Sequence, residues 1–535
     1  MADGQQPVIA YPPIARAAHL SGDVLISFQI TPQGEPIGLT VISGPPILSK
    51  VSLAFVAEWR FENRDPAREP CETNANFHFA LTFPDRGTDV SVNSVEFHTF
   101  TPPFRIDITL SSPAPVISDP AETINGRRMP GPPLDSPPFP SGDWSYGGSP
   151  TIGVPDGNSY PLMKALGHTT GGTKFYGWIN AGVNGSTSTT TNLPEAYDIY
   201  PNRIELDQLV AIAERLPDTV QTQHFDWGFR LTAFYGIDYR FTFAKGYFTN
   251  QLLVYNRQYG FDTPAEYLDL YFPHVAQGMN LRIGRFLSIP GIESETSPPN
   301  YMYSHSILSL VDPFTQTGAL ATIRINPRWL VQGGVTAGND VAPWVSDHKL
   351  SATVCGNYTT TSNNDNFYVC ANGINDGVYA YDNVQQYDAT WYHRLTKKTH
   401  LATEAWYMYQ RQVPNVAGNV ANPITPELGT DGAFCHAGQL RCTAPEYAME
   451  NYVNHEFSAK TSMSVRTEFL NDKKGQRTGY ATSYLEDTVS LTRWFGNSLT
   501  LRPELRFEHA WSLPAYDAGR HSSQFTAAAD LIYHF

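Results

Sequence analysis

The sequence predicts an all-β transmembrane antiparallel barrel of about 14–16 strands, preceded by a small N-terminal α+β domain. Three observations carry that expectation. The final stretch, Phe525–Phe535, alternates apolar and polar residues at period two. Charged residues make up only 16% of the 535-residue chain, and aromatics 13%. Segments with the same alternation recur from residue 171 onward, joined by connections that are short and long in turn.

The final stretch reads F-T-A-A-A-D-L-I-Y-H-F. Phe525, Ala527, Ala529, Leu531, Tyr533 and Phe535 share one face; Gln524, Thr526, Asp530 and His534 share the other. Period-two alternation is a strand signal, and a tilted strand of this length crosses the hydrocarbon layer of a bilayer. It resembles the terminal strand of bacterial outer-membrane β-barrels, whose aromatic end is read by the barrel-assembly machinery. If it closes a barrel it must pair on both edges, with Thr173–Asn184 on one side and Leu499–Trp511 on the other. An open edge in lipid leaves backbone groups unsatisfied. The apolar set then faces outward and Asp530 inward. The bland alternative is an edge strand of a large soluble all-β protein.

Composition narrows the classes further. Mean hydropathy is −0.31, and no run of about 18 apolar residues offers a transmembrane helix. The net charge of −15 argues against a nucleic-acid partner, which needs clustered Lys and Arg. Residues 1–169 carry 10 basic and 17 acidic side chains and residues 170–535 carry 26 and 34, so the acidity is spread. Five cysteines contain no C-x-x-C, which argues against a zinc knuckle. Cys355 with Cys370, and Cys435 with Cys442, are locally spaced for disulfides in an oxidising compartment, leaving Cys71 over. The chain opens M-A-D-G-Q-Q-P, without the basic and apolar regions of a secretory signal, which was removed or lies in a longer gene.

Residues 1–85 read as a separate domain. Gly22 opens D-V-L-I-S-F-Q-I, in which Val24, Ile26 and Phe28 share a face, and Gly34 turns the chain. Leu39–Ile42 follows; Leu48–Trp59 has apolar residues at helical spacing, and Phe77–Phe83 alternates again. With Pro7–Ala18 first, the order is helix–strand–strand–helix–strand, an α+β unit with helices on one sheet face. Tyr11-Pro12, Ala15-Arg16, Gly22, Gly34, Leu48, Ala54 and Trp59-Arg60-Phe61 resemble, in order, the C-terminal domain of the TonB energy-transducer family. The resemblance implies a periplasmic module that grips short extended segments by strand addition, and hence a periplasmic or TonB-system protein partner.

Residues 86–169 read as a Pro-rich linker, with 14 prolines between Thr101 and Pro161. Such a stretch is extended and semi-rigid. Alternation at Phe104, Ile106, Ile108 and Leu110 allows a strand or two within it.

Residues 170–535 read as the barrel. Gln223–Tyr235 is its cleanest segment: Phe225, Trp227, Phe229, Leu231, Ala233 and Tyr235 alternate with His224, Asp226, Gly228, Arg230 and Thr232. Thr173–Asn184, Met279–Ser288, Ala319–Ile325, Trp329–Gly338, Gln386–Leu395, His400–Gln410, Tyr447–Ser458, Ser462–Asn471, Glu486–Phe495 and Leu499–Trp511 follow suit. Ala337–Gln385 and Arg411–Glu446 read as long interruptions. Ile204–Leu216 is ambiguous. Leu206, Leu209, Ile212, Ala213 and Leu216 fit a helix, and period two only nearly holds, so pattern alone favours the helix.

The motifs Pro201-Asn202 with Leu206-Asp207-Gln208-Leu209, Asp226–Arg230, Gly284-Arg285-Phe286 with Gly291 and Glu293, Tyr301–Ser306 and Pro313-Phe314-Thr315 carry a second resemblance. They resemble successive motifs of the OmpL-like outer-membrane β-barrel porin family. The resemblance implies that Ile204–Leu216 is a strand and that the barrel is a channel, without naming a solute.

Arg282, Arg285, Glu293, Arg502, Glu504 and Arg506 are the candidate pore-lining residues, because they sit in alternating strands or in the motif around Gly284–Phe286. Strict alternation from Ile283 puts Arg285 outside. No G-x-S-x-G, H-E-x-x-H, Walker or GxGxxG pattern stands in a fitting context. His305 with Glu293 is the one acid–base candidate, read rather as part of a constriction or a solvated loop. The expectation is an outer-membrane porin for passive diffusion of small hydrophilic solutes, seated in outer-membrane lipid, with no enzyme activity, cofactor or metal. The alternative is a membrane-anchored interaction protein whose N-terminal domain docks a partner and whose barrel is the anchor.

Overall fold

The structure is a computed structural model. It describes residues 22–61, 71–82, 95–101, 104–111, 160–166, 173–219, 223–250, 252, 258–326, 328–362, 364–396, 398–416, 432–458 and 460–535. The expected helix at Pro7–Ala18, the Tyr11-Pro12 and Ala15-Arg16 motifs and most of the Pro-rich linker lie outside these residues. The chain divides into two units, residues 1–115 and 116–535.

The first unit has β1 (Gly22–Ile30), β2 (Pro36–Ser43), α1 (Pro46–Ala57), β3 (Cys71–Thr82), β4 (Val95–Thr101) and β5 (Arg105–Ser111). They form one sheet in the order β2-β1-β3-β5-β4, so the sheet continues past residue 85. Val24, Ile26 and Phe28 alternate into a core with Leu48, Val56, Phe77, Phe79 and Ile108. Trp59 closes that core, packed edge-on to Phe28 and Phe61 with ring centroids 5.9 and 5.8 Å away. Gly34 has φ +82° and receives Phe61 N–H on its carbonyl at 2.8 Å. A Cβ there would stand 2.0 Å from the Phe61 carbonyl oxygen, so only glycine fits the turn.

The second unit begins, among described residues, with α2 (Pro161–Leu166), β6 (Lys174–Ser186), β7 (Ile204–Arg215), β8 (Asp226–Gly236), β9 (Gly260–Asp262), β10 (Glu266–Phe272) and β11 (Met279–Leu287). It continues with α3 (Ile307–Val311), β12 (Thr315–Asn326), β13 (Trp329–Asn339), β14 (Ser351–Thr359), β15 (Asp365–Ile374), β16 (Gln385–Arg394) and β17 (Thr399–Pro414). It ends with β18 (Arg441–Ser458), β19 (Thr461–Asp472), β20 (Ser483–Phe495), β21 (Leu499–Ala510) and β22 (Ser523–His534). Successive long strands pair antiparallel; β8 pairs directly with β10, and β22 pairs with β6 as well as β21. Sixteen strands therefore close on themselves, with the short β9 attached beside β8. Closure leaves no edge, as a strand protein in lipid requires.

The terminal strand sits as expected. Phe525, Ala527, Leu531 and Tyr533 are exposed, while Gln524, Asp530 and His534 are buried. Phe535 and Gly177 exchange backbone hydrogen bonds at 3.0 and 3.2 Å.

Two expectations are corrected. Ile204–Arg215 is a strand, not the helix its pattern favours. The register slips between Asn180 and Ala181, which face Gln208 and Leu206, so Asp207 is a bulge. A bulge adds a residue and flips the phase, putting Leu206 and Leu209 on one face at a helix-like spacing of three. The Ala337–Gln385 interruption holds β14 and β15.

On the outside, aliphatic side chains such as Leu231, Ile283, Val335, Val354, Val489, Leu505 and Leu531 are exposed. Trp227, Trp329, Phe367, Trp391, Phe457, Phe495 and Tyr533 lie towards the strand ends at one rim. Tyr235, Phe261, Tyr387, Tyr407, Tyr447 and Trp511 lie towards the other. An apolar band between two aromatic girdles is the outer surface of a membrane barrel. Short connections cluster at the first rim; the long ones, residues 187–203, 237–265, 288–314 and 415–440 among them, leave from the second.

Candidate functional site

The interior is built by inward positions of the strands and by the connection 288–314, which folds into the barrel. Its anchors come from around the wall. Ser297 N–H and Oγ–H donate to Gln208 Oε1 at 3.0 Å and Asn180 Oδ1 at 2.8 Å. Tyr303 N–H donates to Glu504 Oε2 at 3.0 Å, and Ile292 N–H to Glu404 Oε2. At the start of α3, Ser306 Oγ caps Ser309 N–H, and Glu468 accepts from Ile307 N–H at 2.9 Å and from Leu308 N–H. A carboxylate at helix-start N–H groups satisfies donors that have no intrahelical partner. Tyr303 fits because β6 has Gly182 opposite it: a Cβ there would stand 1.9 Å from the Tyr303 hydroxyl.

Three arginines on one stretch of wall grip this segment. Arg466 on β19 donates to Glu486 at 3.0 Å, Glu293 at 2.8 Å and the Ser304 carbonyl at 3.0 Å. Arg502 on β21 pairs with Asp530 and donates to the carbonyls of Ser297 and Asn300 at 2.9 and 3.1 Å. Arg506 pairs with Glu508 at 2.7 Å and donates to the His305 carbonyl at 2.6 Å. Arg477 donates to the Val311 carbonyl at 2.7 Å and pairs with Asp382. Guanidinium forks suit such convergent binding of carboxylates and carbonyls. Nearer the long-loop rim, the segment and loops at 187–203 and 237–252 form an apolar core around Tyr197, Phe241, Phe243, Ile307, Leu308 and Phe314.

The candidate residues can now be placed. Arg502, Glu504 and Arg506 are consecutive inward positions of β21, buried against the segment. Glu293 belongs to the segment itself and meets Arg466, Tyr452 and Ser306. Arg282 faces inward on β11 and forms a two-pronged pair with Asp269 at 2.9 and 3.0 Å. Arg285 is placed otherwise. It shares the register face of Ile283, which is exposed, yet it is buried near the rim by the 237–265 connection. There it pairs with Asp262 at 2.8 and 2.9 Å, donates to the Thr242 carbonyl at 2.7 Å and lies 4.1 Å from the Tyr247 ring centroid. It ties a loop rather than joining the Arg502–Arg506 column. His305 Nε2–H donates to the Ser294 carbonyl, 2.8 Å away, and the ring stacks on Tyr197. Cys355 lies opposite Cys370 across β14 and β15 with their sulfurs bonded, as are those of Cys435 and Cys442. Cys71 opens β3.

Sequence reading missed Arg466, Glu468, Glu486, Glu404, Glu450 and Asp388. Each is a charge on the inner face of an alternating strand, and that position was the available signal.

Residues 7–81 match the Gram-negative bacterial TonB protein C-terminal family. A comparison with curated proteins finds no match. Among solved structures, the anion-selective porin from Comamonas acidovorans is 9% identical with a TM-score of 0.40, covering 68% of this chain and 99% of that one. The outer membrane channel DcaP of Acinetobacter baumannii is 8% identical with a TM-score of 0.42, covering 69% and 99%. OmpT of Vibrio cholerae is 10% identical with a TM-score of 0.39, covering 68% and 97%. Residues 172–535, the whole barrel, match the family described as Putative beta-barrel porin-2, OmpL-like, and the chain belongs to that family.

Proposed function

We propose that the barrel is a channel for passive diffusion of small hydrophilic solutes across the outer membrane, and not an enzyme. The observation that carries this reading is the opposition of faces on single strands. β21 presents Leu505 and Phe507 outward and Arg502, Glu504, Arg506 and Glu508 inward. Apolar side chains outside a barrel meet lipid, and a polar interior is what a water-borne solute needs. The connection 288–314 narrows the interior, so the reading is restricted to small solutes. With the short-connection rim, which carries both ends of the barrel domain, towards the periplasm, the N-terminal domain would stand there too, tethered by the Pro-rich linker.

A liposome flux assay with neutral solutes of graded size tests the proposal, using the full chain and residues 116–535. Size-limited uptake with both proteins supports a channel. No uptake with either would leave the second reading, which the match of residues 7–81 favours: a membrane-anchored module whose N-terminal domain binds a periplasmic partner.

A further inference from the structure

Across β17 to β21 the register aligns five glutamates. Glu404 lies opposite Glu450, Glu450 opposite Glu468, Glu468 opposite Glu486, and Glu486 opposite Glu508. All five point into the barrel and are buried. Like charges directly opposite across strands repel, so each needs a compensating partner. Four have one. Glu404 and Glu468 accept backbone N–H groups of the infolded segment, at Ile292 and at Ile307 with Leu308. Glu486 and Glu508 bind Arg466 at 3.0 Å and Arg506 at 2.7 Å.

Glu450 is the exception. It is 0% exposed, and neither of its carboxylate oxygens has a hydrogen-bond partner. On the next strand but one, Asp388 is also buried; its carboxyl meets that of Glu404, and no N–H or hydroxyl group reaches it. Glu404 Oε1 likewise receives no N–H or hydroxyl group. The nearest guanidinium, Arg466, is committed to Glu486, Glu293 and the Ser304 carbonyl. Burying carboxylates without donors is costly, and removing them from water invites either a proton or a cation.

We propose that Asp388, Glu404 and Glu450 form a binding site inside the barrel for a small organic cation bearing N–H donors, a guanidinium or primary ammonium group. Among the described residues no three carboxylates are grouped to hold a metal ion, so a bare metal is a poor occupant. An N–H cation is a good one: it supplies several donors spread over a few ångströms and can reach oxygens on adjacent strands at once. The site stands beside Ile292, where the infolded segment meets the wall. The inference rests on the channel reading and deepens it, since it gives the interior a ligand of stated chemical class.

The test uses the full chain in planar bilayers in potassium chloride, with guanidinium added on one side. Guanidinium should reduce the potassium current in a dose-dependent way. Glu450→Gln, an isosteric change, should raise the half-blocking concentration at least tenfold, and Asp388→Asn should do so too. The exposed Asp376→Asn, which removes the same charge elsewhere, should leave it within twofold. Currents that guanidinium does not reduce, or block unchanged in Glu450→Gln and Asp388→Asn, would overturn the site while leaving the channel intact. If Glu450→Gln does not assemble, Asp388→Asn decides alone. If the native protein does not conduct, the channel reading fails. The site is then judged by titration calorimetry of the detergent-solubilised protein with guanidinium: binding lost in Glu450→Gln upholds it, and no binding to the native chain overturns it.

Discussion

In the N-terminal sheet, Val24, Ile26 and Phe28 turn inward while Asp23 and Gln29 reach the surface. In β22 of the barrel the same period-two text is worn the other way round: Phe525, Leu531 and Tyr533 stand outside, and Gln524, Asp530 and His534 inside. Alternation alone states that a strand has two unlike faces. It does not state which face is buried. The domain core is dry and apolar, as for any unit folded against water. The barrel buries charges because its outer face has lipid to meet, and it stabilises them by pairing: Arg466 with Glu486 and Glu293, Arg502 with Asp530, Arg506 with Glu508. A charge placed on the outer face should therefore cost the barrel far more than the N-terminal sheet.

The largest effect should come from breaking the buried ion network. Arg466→Met strands Glu486 and Glu293 without their guanidinium, and removing one partner of a buried pair costs about 3–5 kcal/mol. Denaturant unfolding of the detergent-solubilised barrel should show that loss; a change below about 1 kcal/mol would mean that the interior is wet enough to screen these charges. Next comes charge on the outer faces. Leu531→Arg places a cation against lipid, worth about 2–4 kcal/mol near the bilayer midplane. Gln29→Arg on the exposed face of the N-terminal sheet should stay within about 0.5 kcal/mol. Equal costs would erase the contrast between the sheets.

A smaller effect lies in the loops. Burial pushes the Asp517 carboxyl up, but N–H groups of Thr190 at 2.6 Å and Thr189 at 3.1 Å, the Thr189 hydroxyl and Thr191 N–H outweigh it and hold it at about 2. The folded value lies below the unfolded one, so this stabilisation is present above about pH 4 and lost as pH falls through about 2. It amounts to about 2 kcal/mol. Asp517→Asn should remove that acid-dependent part of the stability profile; an unchanged profile between pH 5 and about 2 would reject the role. The mildest probe leaves the fold untouched: peptide mapping without reductant should find Cys355 linked to Cys370 and Cys435 to Cys442. Free thiols at these four positions would contradict the assignment.

Legibility in the sequence followed the contrast between faces. Phe525–Phe535 was readable because an apolar outer set faces Gln524, Thr526, Asp530 and His534 at period two, broken only by Ala528 and Ile532 on the inner face. The bulge at Asp207 disguised β7 by carrying Leu206 and Leu209 to one face. β14 escaped notice because S-A-T-V-C-G-N-Y-T sets small residues against small residues, leaving little hydropathic contrast. The candidate site was half visible. Arg502, Glu504 and Arg506 share one strand, so their common face is written in the local text. The glutamate row is not, because each strand contributes a single member, and only the register between strands lines them up. Arg285 shows the limit from the other side: its face follows from alternation, but its burial comes from the distant Tyr247 and Asp262.

The inverted sense of the barrel is tested most directly by collisional quenching at one position. A bimane label on Leu531→Cys, in a chain also carrying Cys71→Ser, can be reconstituted into vesicles. Doxyl-labelled lipid should quench it strongly and aqueous iodide weakly, because residue 531 faces outward from a closed barrel into the apolar band. Strong quenching by iodide with none by doxyl lipid would place that face in water and contradict the account of this chain as a membrane-spanning barrel.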